Sequence, residues 1–261
     1  MRMILLGLML VVGNIGVADE LSGIQIHRDP DGKIVGARLG GPSSSERLEL
    51  TASSIESIAK VKGLKSLSLS FSTVDDEMLR PVAEMKDLVL LDLSFSNVTG
   101  KAIEIVAECP KLRLLELSAC DVHDEHLVAL EKTPQLVHLR LERTSVTDKG
   151  LVHIGKLKDL IMLDLQACEI TDDGLKSMGH FPQLQSLYLT KSLRYGRDDK
   201  VDLTDDCIDY LASLNTIVDL RIGATRISDQ GLDKLKNALP KARISTAESG
   251  ILHLGVKKPT R

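Results

Sequence analysis

The chain has 261 residues, a length that fits one large domain or two ordinary ones. Hydrophobic residues make up 43% and charged residues 27%, a balance that argues against wholesale disorder and against a polytopic membrane protein. A formal charge of −4 leaves no basic surface, so we expect no nucleic-acid partner. Aromatic residues account for only 2% of the chain. The core must therefore consist of aliphatic layers, and this indicates a repeat protein.

The N-terminal segment, residues 1–18, is typical of a secretory signal peptide. Arg2 supplies a positive charge, residues 4–12 are apolar, and the small residues 16–18 precede Asp19. The pattern predicts cleavage after Ala18 and a secreted or periplasmic protein. The apolar run is shorter than the ~20 residues that span a bilayer, so we expect no stable membrane insertion after cleavage. A retained anchor and a buried N-terminal strand or helix are the alternatives.

An apolar triplet repeats through most of the chain. Leu64, Leu67 and Leu69 form one copy, and the alternation within it predicts a short half-buried strand. Copies begin at Leu64, Leu88, Leu112, Leu136, Leu160, Leu184 and Ile217. The step is constant as far as Leu184 and longer before Ile217; a period between about 20 and 50 residues indicates a solenoid. Three positions after each triplet stands a small hydroxyl or thiol that can bond the backbone: Ser72, Ser96, Cys120, Thr144, Cys168, Ser192 and Thr225.

A Thr-Asp-x-Gly-Leu box follows the triplet in the most regular copies. Thr147 and Thr171 stand where a helix N-cap should be, as does Ser228. Asp148 and Asp172 then place negative charge at the positive end of the helix dipole. Each unit is therefore predicted to be a strand, a turn and a short helix. One unit cannot bury its apolar face alone, whereas a stack buries it against both neighbours.

The triplet, the hydroxyl or thiol column and the box together resemble the leucine-rich repeat family over roughly residues 45–244. Residues 109–127 resemble its cysteine-containing subtype, found in F-box proteins and in exported bacterial repeat proteins. The resemblance implies an α/β solenoid that is curved, with a parallel β-sheet on the concave face and short helices on the convex face. It also implies protein-binding modules without catalytic residues.

The flanks of the repeats predict the domain organisation. Residues 19–47 are assigned to a β-hairpin cap turning at 29–32, because a solenoid end needs protection. Residues 48–245 form the repeat domain, with 48–50 as the strand of a shortened first repeat. Residues 246–261 are a tail expected to be poorly ordered. Nine extra residues, 194–202, interrupt the sixth copy as either a binding loop or a tolerated solvated loop.

The alternation in each strand also predicts which side chains face outward on the concave side. These positions combine an apolar patch with an acidic row interrupted by arginines, and exposed apolar groups rimmed by charge mark interaction sites. A merely solvated face is the alternative. The candidate partner-binding residues are Phe71, Leu90, Asp92, Phe95, Leu114, Glu116, His138, Arg140, Arg143, Met162, Asp164, Tyr188, Arg194, Tyr195, Arg197 and Arg221.

We find no constellation for catalysis, metal binding or a cofactor. His123 and His126 invite a metal interpretation, but they occupy the repeat columns of Thr147 and Gly150 and are explained as repeat variation. The chain has no HExxH, GxSxG or glycine-rich phosphate loop. The cysteines at 109, 120, 168 and 207 are predicted to be free, largely buried thiols, because strand spacing separates the two that share a column by ~10 Å.

The sequence thus predicts a non-enzymatic, exported scaffold. We expect it to be a monomer without cofactors that recognises a protein through its concave face and the 194–202 loop. A substrate adaptor of a ubiquitin ligase is the main alternative, although residues 19–47 are too few and too strand-like for an F-box. An enzyme would have to use the loop, where Arg194, Tyr195, Arg197 and Asp198 cluster.

Overall fold

The structure is a computed structural model that describes residues 25–41, 47–179, 181–190 and 203–246. The predicted signal peptide, the 194–202 loop and the tail after Thr246 lie outside the described residues.

Ten strands form one sheet in which sequence order equals spatial order. The first two strands pair antiparallel as a hairpin, and every later pairing is parallel. The strands are β1 (Gln25–Arg28), β2 (Ile34–Arg38), β3 (Ser66–Ser68), β4 (Leu90–Asp92), β5 (Leu114–Glu116), β6 (His138–Arg140), β7 (Met162–Asp164), β8 (Ser186–Tyr188), β9 (Asp219–Arg221) and β10 (Arg243–Ser245).

Short helices return the chain between the strands. The α-helices are α1 (Ala52–Ala59), α2 (Asp76–Leu79), α3 (Lys101–Val106), α4 (Asp148–Ile154), α5 (Asp172–Ser177), α6 (Ile208–Ser213) and α7 (Asp229–Ala238). Stretches of 3-10 helix span Arg80–Glu84, Asp124–Lys132 and Asp205–Cys207. The apolar sides of helices and strands meet in one core, in which the triplet leucines such as Leu91, Leu115 and Leu139 are completely buried.

The strand register follows the sequence period. Leu91 pairs with Leu115, its counterpart one repeat later in the chain. Between β8 and β9 the partners are Leu187 and Leu220, which are again counterparts although the repeat between them is longer. The additional residues 194–202 therefore leave the register of the sheet intact, because they are inserted after the strand and not within it.

The first repeat begins earlier than the triplet pattern predicts. Ala37 of β2 pairs with Leu67 of β3 and is buried, so the parallel sheet starts within residues 19–47. Leu48 instead pairs with Ser72, beyond the end of a strand, and Thr51 caps helix α1. The assignment of 48–50 to the first strand is wrong. The triplet is hidden because β2 carries Ala37 where later repeats have leucine.

The hydroxyl and thiol column bonds the backbone as predicted. Ser72 Oγ donates to Leu69 O at 2.6 Å, and Thr144 Oγ1 donates to Leu141 O at 2.7 Å. Cys120 Sγ lies 3.1 Å from Leu93 O of the preceding repeat. The four cysteines at 109, 120, 168 and 207 are free, and all but the half-buried Cys168 are buried. The described hydroxyls of the column thus close the turn where the chain leaves the sheet, and the two cysteines bond the preceding repeat, while Ser192 lies outside the described residues.

The aspartates of the Thr-Asp-x-Gly-Leu box join consecutive repeats. The Asp148 carboxylate accepts hydrogen bonds from Thr171 N at 2.9 Å and Thr171 Oγ1 at 2.5 Å. We call the series the Asp ladder; its bonds run from Asp76 to Thr99, Asp124 to Thr147, Asp148 to Thr171, Asp172 to Thr204 and Asp205 to Ser228. The predicted N-caps at 147, 171 and 228 are confirmed. Four of the five aspartates therefore hold the N-cap of the following repeat, whereas Asp76 binds Thr99, the residue before the N-cap Gly100 of α3.

The glycine of the box makes room for the ladder. A Cβ atom on Gly174 would lie 1.9 Å from Asp148 Oδ1, so only glycine fits beneath that carboxylate. Gly100 stands where the ladder would place an aspartate, and the His126 ring packs against it instead. Asp148 and Gly174 are thus a steric pair, whereas Ala102 and Cys207 occupy the glycine position one repeat after Asp76 and Asp172, which keep their ladder bonds.

Candidate functional site: the concave face of the sheet

The sheet face opposite the helices, which we call the concave face, presents three columns of outward side chains. The first column is Ser66, Leu90, Leu114, His138, Met162, Ser186 and Asp219. The second is Ser68, Asp92, Glu116, Arg140, Asp164, Tyr188 and Arg221. The third follows two positions later and contains Ser70, Ser94, Ser118, Glu142, Gln166 and Thr190.

The first column supplies the apolar part of the site. Leu90 and Leu114 are direct neighbours on β4 and β5, and both are half-buried. His138 separates them from the half-buried Met162. Ile161, immediately before β7, is 39% exposed, but alternation places it on the other side of the chain from Met162. The predicted patch therefore consists of a leucine pair and the separate Met162.

Arg140 organises the centre of the second column. Its Nη1 lies 3.1 Å from Glu116 Oε2, and its Nε lies 3.3 Å from Asp164 Oδ2. Asp164 is only 2% exposed and also accepts hydrogen bonds from the backbone and side chain of Gln166. Asp164 thus holds Arg140 in place and does not offer a free carboxylate. Arg140 forms ion pairs with Glu116 and Asp164 and forms none with Asp92.

His138 is neutral at physiological pH. Burial, with the nearby Arg140 charge, lowers the pKa of the His138 imidazole to about 4. Its Nε2 atom lies 3.6 Å from Glu116 Oε1 and makes no hydrogen bond. His138 therefore adds no positive charge to the acidic row.

Three carboxylates of the concave face are poorly solvated. Burial raises the pKa of Glu116, of Glu142 and of Asp164 above that of an ordinary carboxyl group. For Glu116 and Glu142, repulsion from neighbouring carboxylates adds to the rise in pKa, and Arg140 opposes it. A partner that brings positive charge here would relieve an unfavourable arrangement.

Tyr188 and Arg221 close the second column. The Tyr188 hydroxyl donates to Asp219 Oδ2 at 3.0 Å, and the Arg221 guanidinium lies 4.0 Å from the centre of the Tyr188 ring. Arg221 Nη2 also lies 3.3 Å from Asp219 Oδ2. These three side chains satisfy one another at this end of the face.

Phe71 and Phe95 lie at the turns that leave β3 and β4. Their rings stack with centroids 4.5 Å apart, and the Arg143 guanidinium lies 5.9 Å from the Phe95 ring. All three residues have positive φ angles, a left-handed turn conformation that is uncommon for non-glycine residues. The structure thus brings these three predicted residues together at one rim of the concave face.

The remaining candidates have different outcomes. Arg194, Tyr195 and Arg197 lie outside the described residues. Sequence reasoning missed the third column, including Glu142 and Ser118, although the same alternation reaches two positions beyond each strand. It stopped at the last leucine of the triplet, where the strand pattern ends.

The structure offers no metal centre in the residues it describes. No group of three or more metal-ligating side chains is found there, and His126 Nδ1 accepts the His123 backbone N–H at 3.1 Å. That bond closes the start of the 3-10 helix Asp124–Lys132. Over the same described ranges, no helix is long and apolar enough to cross a membrane.

Comparison with known proteins supports the repeat architecture. The family described as "Leucine Rich repeat" matches residues 159–179. A search of curated proteins found no match. Among solved structures, an internalin (inlF) from Listeria monocytogenes is 23% identical with a TM-score of 0.56, covering 73% of this chain and 49% of its own.

Two further structures have the same fold. An internalin C2 (inlC2) from Listeria monocytogenes is 17% identical with a TM-score of 0.51, covering 76% of this chain and 82% of its own. The receptor kinase HAESA ectodomain from Arabidopsis, solved with a peptide hormone ligand, is 16% identical with a TM-score of 0.58, covering 84% of this chain and 35% of its own. The chain thus spans half or less of inlF and HAESA. The fold is a leucine-rich repeat solenoid, as the sequence predicts.

Proposed function

We propose that this protein is a non-enzymatic, exported scaffold that binds a protein partner through its concave face, with the 194–202 loop contributing. The observation that carries the proposal is the first two columns, where half-buried leucine side chains adjoin poorly solvated carboxylates. Such a mixture of apolar contact and charge is typical of interaction sites. The peptide hormone in the HAESA structure supports a similar use of this fold.

A photo-reactive residue tests which face binds. We would replace Leu114 on the concave face with p-benzoylphenylalanine, and in a matched protein replace Val152, which is 50% exposed on helix α4. Crosslinking in envelope extract and culture medium of the native host should capture a protein from Leu114 and not from Val152. Equal capture from both positions, or capture from Val152 alone, would contradict a concave binding face.

Export is tested separately from binding. We expect the protein recovered from its native host to begin at Asp19, because cleavage is predicted after Ala18. Mass spectrometry of the intact protein measures this directly. An intact Met1 in that material would overturn the cleaved signal peptide and leave the binding proposal untouched.

A further inference from the structure

Negative charge is in excess around Ser118 on the concave face. Glu116 ends β5 two positions before Ser118, Asp92 lies beside Glu116 on β4, and Glu142 follows one repeat later in the third column. Arg140 is engaged by Glu116 and by the buried Asp164. Within the described ranges no ion pair joins a cationic side chain to Asp92, while Arg143, like Arg140, is near enough to Glu142 to oppose the rise in the pKa of its carboxyl group.

Two buried hydroxyl groups beside these carboxylates lack partners. Ser94 is 7% exposed and Ser118 is 2% exposed, yet neither Oγ atom makes a hydrogen bond. Both follow a second-column residue by two positions, so they lie on its side of the sheet. The equivalent Ser70 does bond within this face, since its Oγ lies 3.0 Å from Ser68 Oγ, which donates to Asp92. An unmade bond of a buried polar group is costly and calls for an explanation.

The hydroxyls and carboxylates together provide acceptors for one kind of ligand. Asp92, Glu116 and Glu142 accept hydrogen bonds when ionised, and a serine hydroxyl can accept one as well. An ammonium or guanidinium group brings only donors and one positive charge. Asp92 already accepts bonds from Ser68 Oγ and Ser94 N, and Glu116 pairs with Arg140. The ligand would therefore add donors for the two serine hydroxyls and offset the repulsion between the carboxylates.

The neighbouring column determines what else the ligand carries. Leu90 and Leu114 stand two positions before Asp92 and Glu116 in the same strands. Side chains on one face of an extended peptide are also two positions apart, at a separation of about 7 Å. A peptide lying along the strands could therefore place an apolar side chain on the leucine pair and a basic side chain on the carboxylates.

We infer that Asp92, Glu116, Ser94 and Ser118 form a subsite for a lysine or arginine side chain of an extended protein segment, whose apolar residue two positions away contacts Leu90 and Leu114. This inference rests on the proposed concave binding face and specifies its partner. The charge complementarity of the carboxylates and the two unsatisfied hydroxyls carry it.

Selection from a displayed library of short random peptides, in the presence of a chelator, tests the inference. The mature full chain should enrich peptides with a basic residue two positions from an apolar one. The Asp92→Asn, Glu116→Gln double variant removes both charges with little change in shape. It should lose the basic preference and bind a selected peptide about tenfold more weakly. The Asp173→Asn, Asp206→Asn variant makes the same charge change on exposed residues outside the concave face and should bind like the wild type.

Ser118→Ala separates a ligand-binding hydroxyl from a structural one. The hydroxyl has no partner in the structure, so its removal should leave the melting temperature unchanged or raise it. The same variant should weaken a selected peptide about fivefold, as expected for one lost hydrogen bond. A lower melting temperature with unchanged peptide affinity would overturn the role of Ser118 in the subsite.

A Leu114→Arg variant distinguishes the two proposals. If enriched peptides depend on Leu114 but show no basic preference, the basic subsite is overturned and the concave binding face stands. If the wild type enriches no peptides, or if the Leu114→Arg variant retains every peptide that the wild type enriches, both proposals are overturned. Circular dichroism on every variant confirms that it is folded.

Discussion

The Asp ladder and the concave face use the same chemical group in opposite ways. On the ladder, the Asp205 carboxylate accepts two hydrogen bonds from Ser228, and these lower its pKa. On the concave face, burial raises the pKa of Glu116 and Glu142. Hydrogen bonds therefore favour the charge of Asp205 where it holds repeats together, whereas burial disfavours the charge of Glu116 and Glu142 where we propose that a partner binds.

The largest expected effect on the free energy of unfolding comes from the steric pair Asp148 and Gly174 on the ladder. Gly174→Ala should destabilise the fold by about 3 kcal/mol, because its Cβ would overlap Asp148 Oδ1. This reverses the usual order, since alanine normally stabilises a helix relative to glycine. Chemical denaturation measures the change. In an Asp148→Gly background, which removes the obstructing carboxylate, Gly174→Ala should cost much less than it does alone, and purely additive effects would refute the steric pair.

Removing one ladder carboxylate should cost somewhat less. Asp148→Ala is expected to lower the free energy of unfolding by about 2 kcal/mol, because Thr171 N and Oγ1 both lose their acceptor. The control is Asp173→Ala in the first turn of helix α5, whose side chain is almost fully exposed and which should cost less than about 0.5 kcal/mol. Similar losses from the two variants would show that the helix dipole, and not the ladder, explains the aspartate.

Melting temperatures measured over a pH series should change in opposite directions for variants of the two regions. Asp205 has a lowered pKa, so it stabilises the fold above the ordinary carboxyl pKa and loses this effect as pH falls through its folded-state value. Glu142 has a raised pKa, so its charge destabilises the fold above that raised value, and the cost disappears on acidification. Asp205→Asn should lower the melting temperature at pH 7 and Glu142→Gln should raise it, and both differences should shrink toward acid. Shifts of the same sign at pH 7 would contradict the comparison.

The smallest expected effect is the labelling of the four cysteine thiols in the folded protein. Burial raises the pKa of Cys109 and Cys120 to about 11 and of Cys168 and Cys207 to about 12. At pH 8 a thiol reagent should therefore label the folded protein very slowly. Denatured, unreduced protein should take up four labels, and fewer would refute the free thiols.

Much of the fold could be predicted because the leucines recur in the sequence at the spacing of the structural repeat. Leucines that recur at the same positions of every repeat define strand, core and register, and Thr147 and Thr171 identify the helix starts. The hairpin strand β2 was predicted, but its place as the first parallel strand of the sheet was not, because Ala37 stands where later repeats have leucine and only pairing with β3 reveals it. The Asp ladder was missed because Asp148 and Thr171 belong to different repeats, and the helix dipole already seemed to explain the aspartate.

The candidate site was only partly predictable for a similar reason. Alternation identifies which side chains face outward, including Asp92, Glu116 and Arg140. It does not reveal that Asp164 is covered or that Arg140 is engaged on both sides, since these depend on contacts between strands. The exposure of each side chain on the concave face, and the charges that surround it, depend on neighbouring repeats. The sequence of a single repeat therefore does not predict them.

The most direct test of the division between the two regions measures stability and binding on the same proteins. We would determine the melting temperature, and the dissociation constant of one peptide selected on the wild type, for Asp92→Asn, Glu116→Gln and for Asp148→Asn, Asp172→Asn. The concave variant should bind about tenfold more weakly without melting at a lower temperature. The ladder variant should melt at a lower temperature and bind normally while folded. Weaker binding from the ladder variant, or unchanged binding by the concave variant, would contradict the account.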